Sequence, residues 1–140
     1  MILHYAGSLE HAGDIIRRNL GERVRDKVRR HVLLDDDRRT LLVELRELVA
    51  GSLNILPAAL CSDDLEIARG LAARKDAFRS TEDRILAAEI AQGSPDSPSS
   101  KLFLDLLRDL HRINSIISSA AYPRVTDAGL MRRTRLLDVD

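Results

Sequence analysis

From Ile2 to Val28, apolar or small residues return at Ile2, Ala6, Leu9, Gly13, Ile16, Leu20, Val24 and Val28. Steps of three and four place all of them on one face of an α-helix. The same rhythm recurs three more times, and nowhere does the chain alternate apolar and polar residues as a strand would. A second segment, from about Arg38 to Leu60, turns Leu41, Leu45, Leu48, Ser52, Leu56 and Ala59 inward. A third, from about Asp64 to Ala91, carries Ala68, Leu71, Ala72, Phe78 and Leu86 on one stripe. A fourth, from about Ser99 to Ala121, does the same with Phe103, Leu106, Leu107, Leu110, Ile113, Ile117 and Ala121.

The connections are short. "LLDDD" breaks the first segment from the second, and one of Asp35, Asp36 or Asp37 can cap the new helix. Asp63 with Glu66 three residues on forms a capping-box start for the third. "QGSPDSPSS" is a loop, and "YPRV" is expected to end the fourth helix. Pro57 lies within the second segment and predicts a kink near Leu53–Pro57. Short links make neighbouring helices antiparallel. The expected fold is all-α, an antiparallel up-down bundle of four long helices over residues 1–125, with residues 126–140 a poorly structured tail.

Composition narrows the function classes. Aromatic residues are 3% of the chain, so the core is built from Leu, Ile, Val and Ala. The 22 basic residues are matched by 22 acidic ones, and a nucleic-acid binder needs a basic excess. No apolar run approaches the ~20 residues that span a bilayer, and direct membrane insertion is not expected. Cys61 stands alone, which suits a reducing compartment. There is no glycine-rich phosphate loop, no nucleophile elbow and no Glu-x-x-His pair, so catalysis is not expected.

The residues that stand out are charged. Glu10 and Asp14, four apart on the first helix, flank its apolar stripe. Two carboxylates on one helix are half of a site for a hard cation, which wants six or more oxygens. They are equally the wet edge of a packed helix. Lys75, Arg79 and Glu82 fall near the middle of the third segment's apolar stripe, which predicts a buried polar cluster. Glu82 can pair with Arg79 three residues before it, and Lys75 or Arg79 is expected to reach the Glu10/Asp14 flank in place of a cation. The alternative is that both long side chains snorkel out to water. His4 and His11 share a face away from the stripe and read as solvated.

Shifting the chain by 101 residues lays "MILHYAGSLEHAGDII" on "LFLDLLRDLHRINSII". Leu3, Leu9, Ile15 and Ile16 then coincide with Leu104, Leu110, Ile116 and Ile117, and the apolar phase agrees throughout. The first and last helices look like copies of one repeat unit.

"LEHAGDIIRRNL", "LLRDLHRINSIISSAAYP" and "DLEIARGLAARKDAFRSTEDR" resemble helices of the PhoU-like domain found at the C-terminus of bacterial sodium/phosphate cotransporter family proteins. The resemblance covers roughly residues 3–125 and implies one full three-helix repeat preceded by the last helix of another. It implies a regulatory or interaction domain of sodium-dependent phosphate transport, cytoplasmic, held at the inner face of the membrane through a transporter. Its partner would be the transporter's membrane domain or another phosphate-system protein. Some PhoU proteins bind metal through E(D)-x-x-x-D motifs. Glu10 and Asp14 match one such motif, while the corresponding places in the last helix hold His111 and Ser115. A divalent or iron-type ion is therefore the cofactor the resemblance would supply, if any. Two other functions stay open: a homodimerising helical scaffold, whose uncovered helix face a second copy would fill, and, behind it, a metal-binding PhoU-type protein or metal-dependent hydrolase.

Overall fold

Three side chains start three helices. Asp35 accepts a hydrogen bond from the Arg38 amide at 2.8 Å and opens α3, Asp36–Cys61. Asp64 accepts from the Glu66 amide at 2.8 Å and opens α4, Leu65–Gln92. Ser97 accepts from the Ser100 amide at 3.0 Å and opens α5, Pro98–Asp127. Each satisfies an amide that the helix start leaves without a partner. Pro98 at the first helical position loses nothing, because its missing N–H had no partner there. Gly93 ends α4 at φ 66°, a left-handed conformation that glycine adopts without a Cβ penalty.

The first segment is a long rod with a wide turn in it. α1 is Ile2–Asp14, a π-helical stretch covers Ile15–Leu20, and α2 is Gly21–Arg30. Within the wide turn the Gly21 amide reaches back to Ile16 O, five residues earlier. The rod ends at His31, which is left-handed at φ 51°. The Val32 amide then bonds to Lys27 O at 3.1 Å, closing the last turn.

The computed structural model describes residues 2–62, 64–93 and 96–127. They contain helices and no strand. α3, α4 and α5 pack pairwise into a three-helix bundle, and the rod lies along α5, with no close backbone approach to α3 or α4. The bundle is up-down. Arg38 meets Glu89 and Glu44 meets Arg84, so α3 and α4 run antiparallel. Glu82 meets His111 and Glu89 meets Ser100, so α4 and α5 do too. Asn19 meets Asp109 and Arg23 reaches on to Asp105, which sets the rod antiparallel to α5.

One apolar cluster runs through the molecule. Leu45, Val49 and Leu56 of α3, Phe78 and Ile85 of α4, and Phe103, Leu107, Ile113 and Ile117 of α5 form its centre. Ala12 and Ile15 of the rod join it from the α5 side. These α3 and α5 positions largely follow the expected stripes. On α4, Leu86 is exposed and its neighbour Ile85 is buried instead.

One helix end differs from expectation. α5 runs through Tyr122 and Pro123 to Asp127, because a proline removes one backbone hydrogen bond without forbidding the helix. α3 passes through Pro57 and ends at Cys61, close to its expected end at Leu60, with only its last turn beyond the proline. The cap expected at Asp63 and nearly all of the tail fall outside the described residues.

Candidate functional site

The larger departure from the sequence reading is the rotation of the rod. The residues that face α5 are Tyr5, Ser8, Ala12, Ile15, Asn19 and Arg23, all buried or half-buried. The stripe expected to face inward points away. Leu9 is 39% exposed, Ile16 43%, Val24 55% and Val28 68%. These large apolar side chains, with Leu20 half-buried among them, line the open side of the rod. They span about 28 Å at the rise of a helix.

Four-residue steps from Ile16 through Leu20 and Val24 to Val28 would precess by about 40° each on an ideal α-helix. The wide turn between Ile15 and Leu20 takes up part of that drift and keeps the stripe close to straight. Single exposed apolar residues need no explanation, whereas a contiguous row on one helix marks an interaction surface.

A buried ion pair holds this rotation. Asp109 is 1% exposed, and Arg23 Nε donates to its Oδ2 at 2.6 Å. Asn19 Nδ2 donates to Oδ1 at 3.4 Å, and Arg23 Nη1 reaches Asp105 at 3.0 Å. Burial works to lower the Arg23 pKa. The hydrogen bond to Asp109 and the charges of Asp109, Asp105 and Asp26 outweigh it, so the net direction is up. Turning the Leu9–Val28 stripe inward would leave Asp109 buried without a cation, which costs more than an exposed leucine.

A second network closes one end of the bundle. Arg38 Nε and Nη2 donate to the two oxygens of Glu89 at 2.8 and 3.1 Å. Nη2 also lies 2.7 Å from Ser100 Oγ, and Nη1 reaches Ser99 Oγ at 3.1 Å and Asp35 at 3.2 Å. The guanidinium sits 5.6 Å from the Phe103 ring centre. The Glu89 hydrogen bond raises the Arg38 pKa against the opposing effect of burial, with the charges of Glu89 and Asp35 adding to it. Every donor is engaged within the protein, so this is a structural clamp joining α3, α4 and α5.

The residues singled out in the sequence lie elsewhere. Glu10 is exposed and has no ion-pair partner among the described residues. Asp14 pairs with Arg18 of its own rod at 4.0 Å. Among the described residues neither Lys75 nor Arg79 forms an ion pair with Glu10 or Asp14, and α4 makes no close backbone approach to the rod. Nor do Lys75, Arg79 and Glu82 form a buried cluster. Arg79 is exposed, and Glu82 pairs with His111 of α5 at 2.8 Å instead of with Arg79. Half-buried Lys75 borders a hollow of about 20 Å³ with Ser52, Asn114 and Ser118, room for one water. His11 is exposed as expected. Among the described residues no group of three or more His, Cys, Asp or Glu side chains could hold a metal ion, so Glu10 and Asp14 lack the further ligands a hard cation requires.

A charge in phase with an apolar stripe was the sequence signal that raised Lys75. The same signal marks Arg38, three residues before Leu41, and Asp109, four before Ile113. What it could not show is their partners, 51 and 86 residues away.

No family model, curated protein or solved structure matches the chain. No helix among the described residues is long and apolar enough to cross a membrane.

Proposed function

We propose that the chain is a non-catalytic interaction domain and that its working surface is the apolar stripe Leu9–Ile16–Leu20–Val24–Val28 on the open side of the rod. The single observation behind this is that the stripe lies on a helix covered on one side only, while its rotation is locked by Arg23 and Asp109. A photo-crosslinking residue at Val24, in cells, is expected to trap a macromolecule, with none trapped from exposed Ala88 on α4. Absence of any crosslink at Val24 would remove this reading.

A narrower reading is a PhoU-like regulatory domain of phosphate transport, docking on a transporter or another phosphate-system protein. Its support is the three quoted helix stretches together with the arrangement of one helix beside a complete three-helix bundle. Phosphate uptake in cells carrying Val24→Glu in place of the native chain tests it. Altered uptake supports phosphate transport, and unchanged uptake counts against it.

A further inference from the structure

Charge is arranged along the rod in a way that selects an occupant for the stripe. Ile2–Asp14 holds two carboxylates and no Lys or Arg, whereas Ile15–Arg30 holds seven basic residues against two acidic ones. Glu10 follows Leu9, Arg17 follows Ile16, Arg25 follows Val24 and Arg29 follows Val28. Each is one residue, about 100°, past a stripe residue, so all four line the same flank of the stripe. The other flank is taken by α5. Glu10 and Arg25 both have no ion-pair partner among the described residues, and Arg29 has only exposed Asp26 at 3.5 Å.

Resting on the docking reading above, we infer that the stripe binds a second copy of this chain, rod against rod, antiparallel about a twofold axis. In a twofold antiparallel pair a flank faces the same flank of its partner. Glu10 of one copy then lies between Arg25 and Arg29 of the other, the reverse contact repeats the pair, and the two Arg17 side chains near the axis are the like-charge contact of this register. The apolar register agrees. Placing Leu9 opposite Val28 puts Gly13 opposite Val24 and brings Ile16 and Leu20 together at the axis. Gly13 has open space where a side chain would stand, which leaves a hollow for Val24. A parallel pair would set the basic halves of the two rods side by side, with like charges repelling.

Sedimentation of the full chain, from about 10 to 200 µM, tests this in a range where micromolar association is visible. A dimer is expected, and Val24→Glu is expected to weaken it at least tenfold by burying an unpaired carboxylate. Circular dichroism should show its helix content unchanged, since Val24 is exposed in the monomer. Glu10→Arg is expected to weaken the dimer about three- to tenfold, in line with exposed ion pairs. Combining it with Arg25→Glu and Arg29→Glu should restore association. A monomer at every concentration overturns the inference, and so does a dimer indifferent to Val24→Glu. A dimer unaffected or tightened by Glu10→Arg overturns the antiparallel register. A monomer whose Val24 crosslinks to a different macromolecule overturns self-pairing and leaves the docking reading intact, whereas no crosslink at all removes both.

Discussion

Arg23 and Asp109, 86 residues apart, meet at 2.6 Å and decide which face of the rod is buried. Asp109 has almost no contact with solvent, so its charge is tolerable only where a cation and an amide reach it.

Removing one member of this pair should be costly. Asp109→Ala is expected to destabilise the chain by about 2–4 kcal/mol in urea unfolding, because Arg23 retains only Asp105. Arg23→Met combined with Asp109→Leu should recover most of the loss, since well-packed apolar groups replace buried ion pairs at little net cost. A double-mutant cycle reads the coupling directly.

The Arg38 clamp depends on a planar fork and not on charge alone. Arg38→Lys is expected to cost about 1–3 kcal/mol, because an ammonium cannot span both Glu89 oxygens and the two serines together. Chemical unfolding of the variant against the native chain measures it.

Alkaline pH separates the same two proteins. The pKa values of Arg23 and Arg38 are raised on folding. Their contribution is therefore complete below the ordinary arginine value and is lost only as pH rises through the higher folded values. Neither arginine should cause loss of stability between about pH 7 and 10. A lysine at position 38 titrates from about 10.4 upward, so Arg38→Lys should lose additional stability between about pH 10 and 12. Thermal unfolding across this range reads the difference.

The rotation of the rod predicts opposite outcomes for two of its apolar positions. Ile15→Ala removes a side chain that is 3% exposed and is expected to cost about 2–4 kcal/mol. Val24→Ala, at 55% exposure, should stay within about 0.5 kcal/mol in the monomer. If the Leu9–Val28 stripe were inward, the order would reverse.

His31 holds a left-handed conformation that a β-carbon disfavours. His31→Gly is expected to stabilise the chain by about 0.5–1 kcal/mol, after the extra freedom of glycine in the unfolded state is subtracted. Its thermal midpoint should rise accordingly.

Helices and their starts were legible because they rest on local chemistry. Asp35 caps α3 from within the expected trio, and Gly93 ends α4 at the head of the loop read from "QGSPDSPSS". The inner stripes of α3 and α5 were legible as well, because each of those helices has one dominant apolar arc that meets neighbours on more than one side. Glu10, Lys75, Arg79 and Glu82 were singled out by type and phase, but whether they meet depends on which helices touch. α4 makes no close backbone approach to the rod, and no ion pair joins the two among the described residues.

By itself, the sequence determined that this chain forms long amphipathic helices with short links, since helical period, caps and turn residues act over a few positions. Tertiary structure alone decided which arc of the first rod is covered. The rod carries two arcs, one with Leu9, Ile16 and Val24 and one with Tyr5, Ala12 and Ile15, and periodicity does not rank them. The requirement that buried Asp109 find Arg23 does, and it leaves the more apolar arc open to solvent.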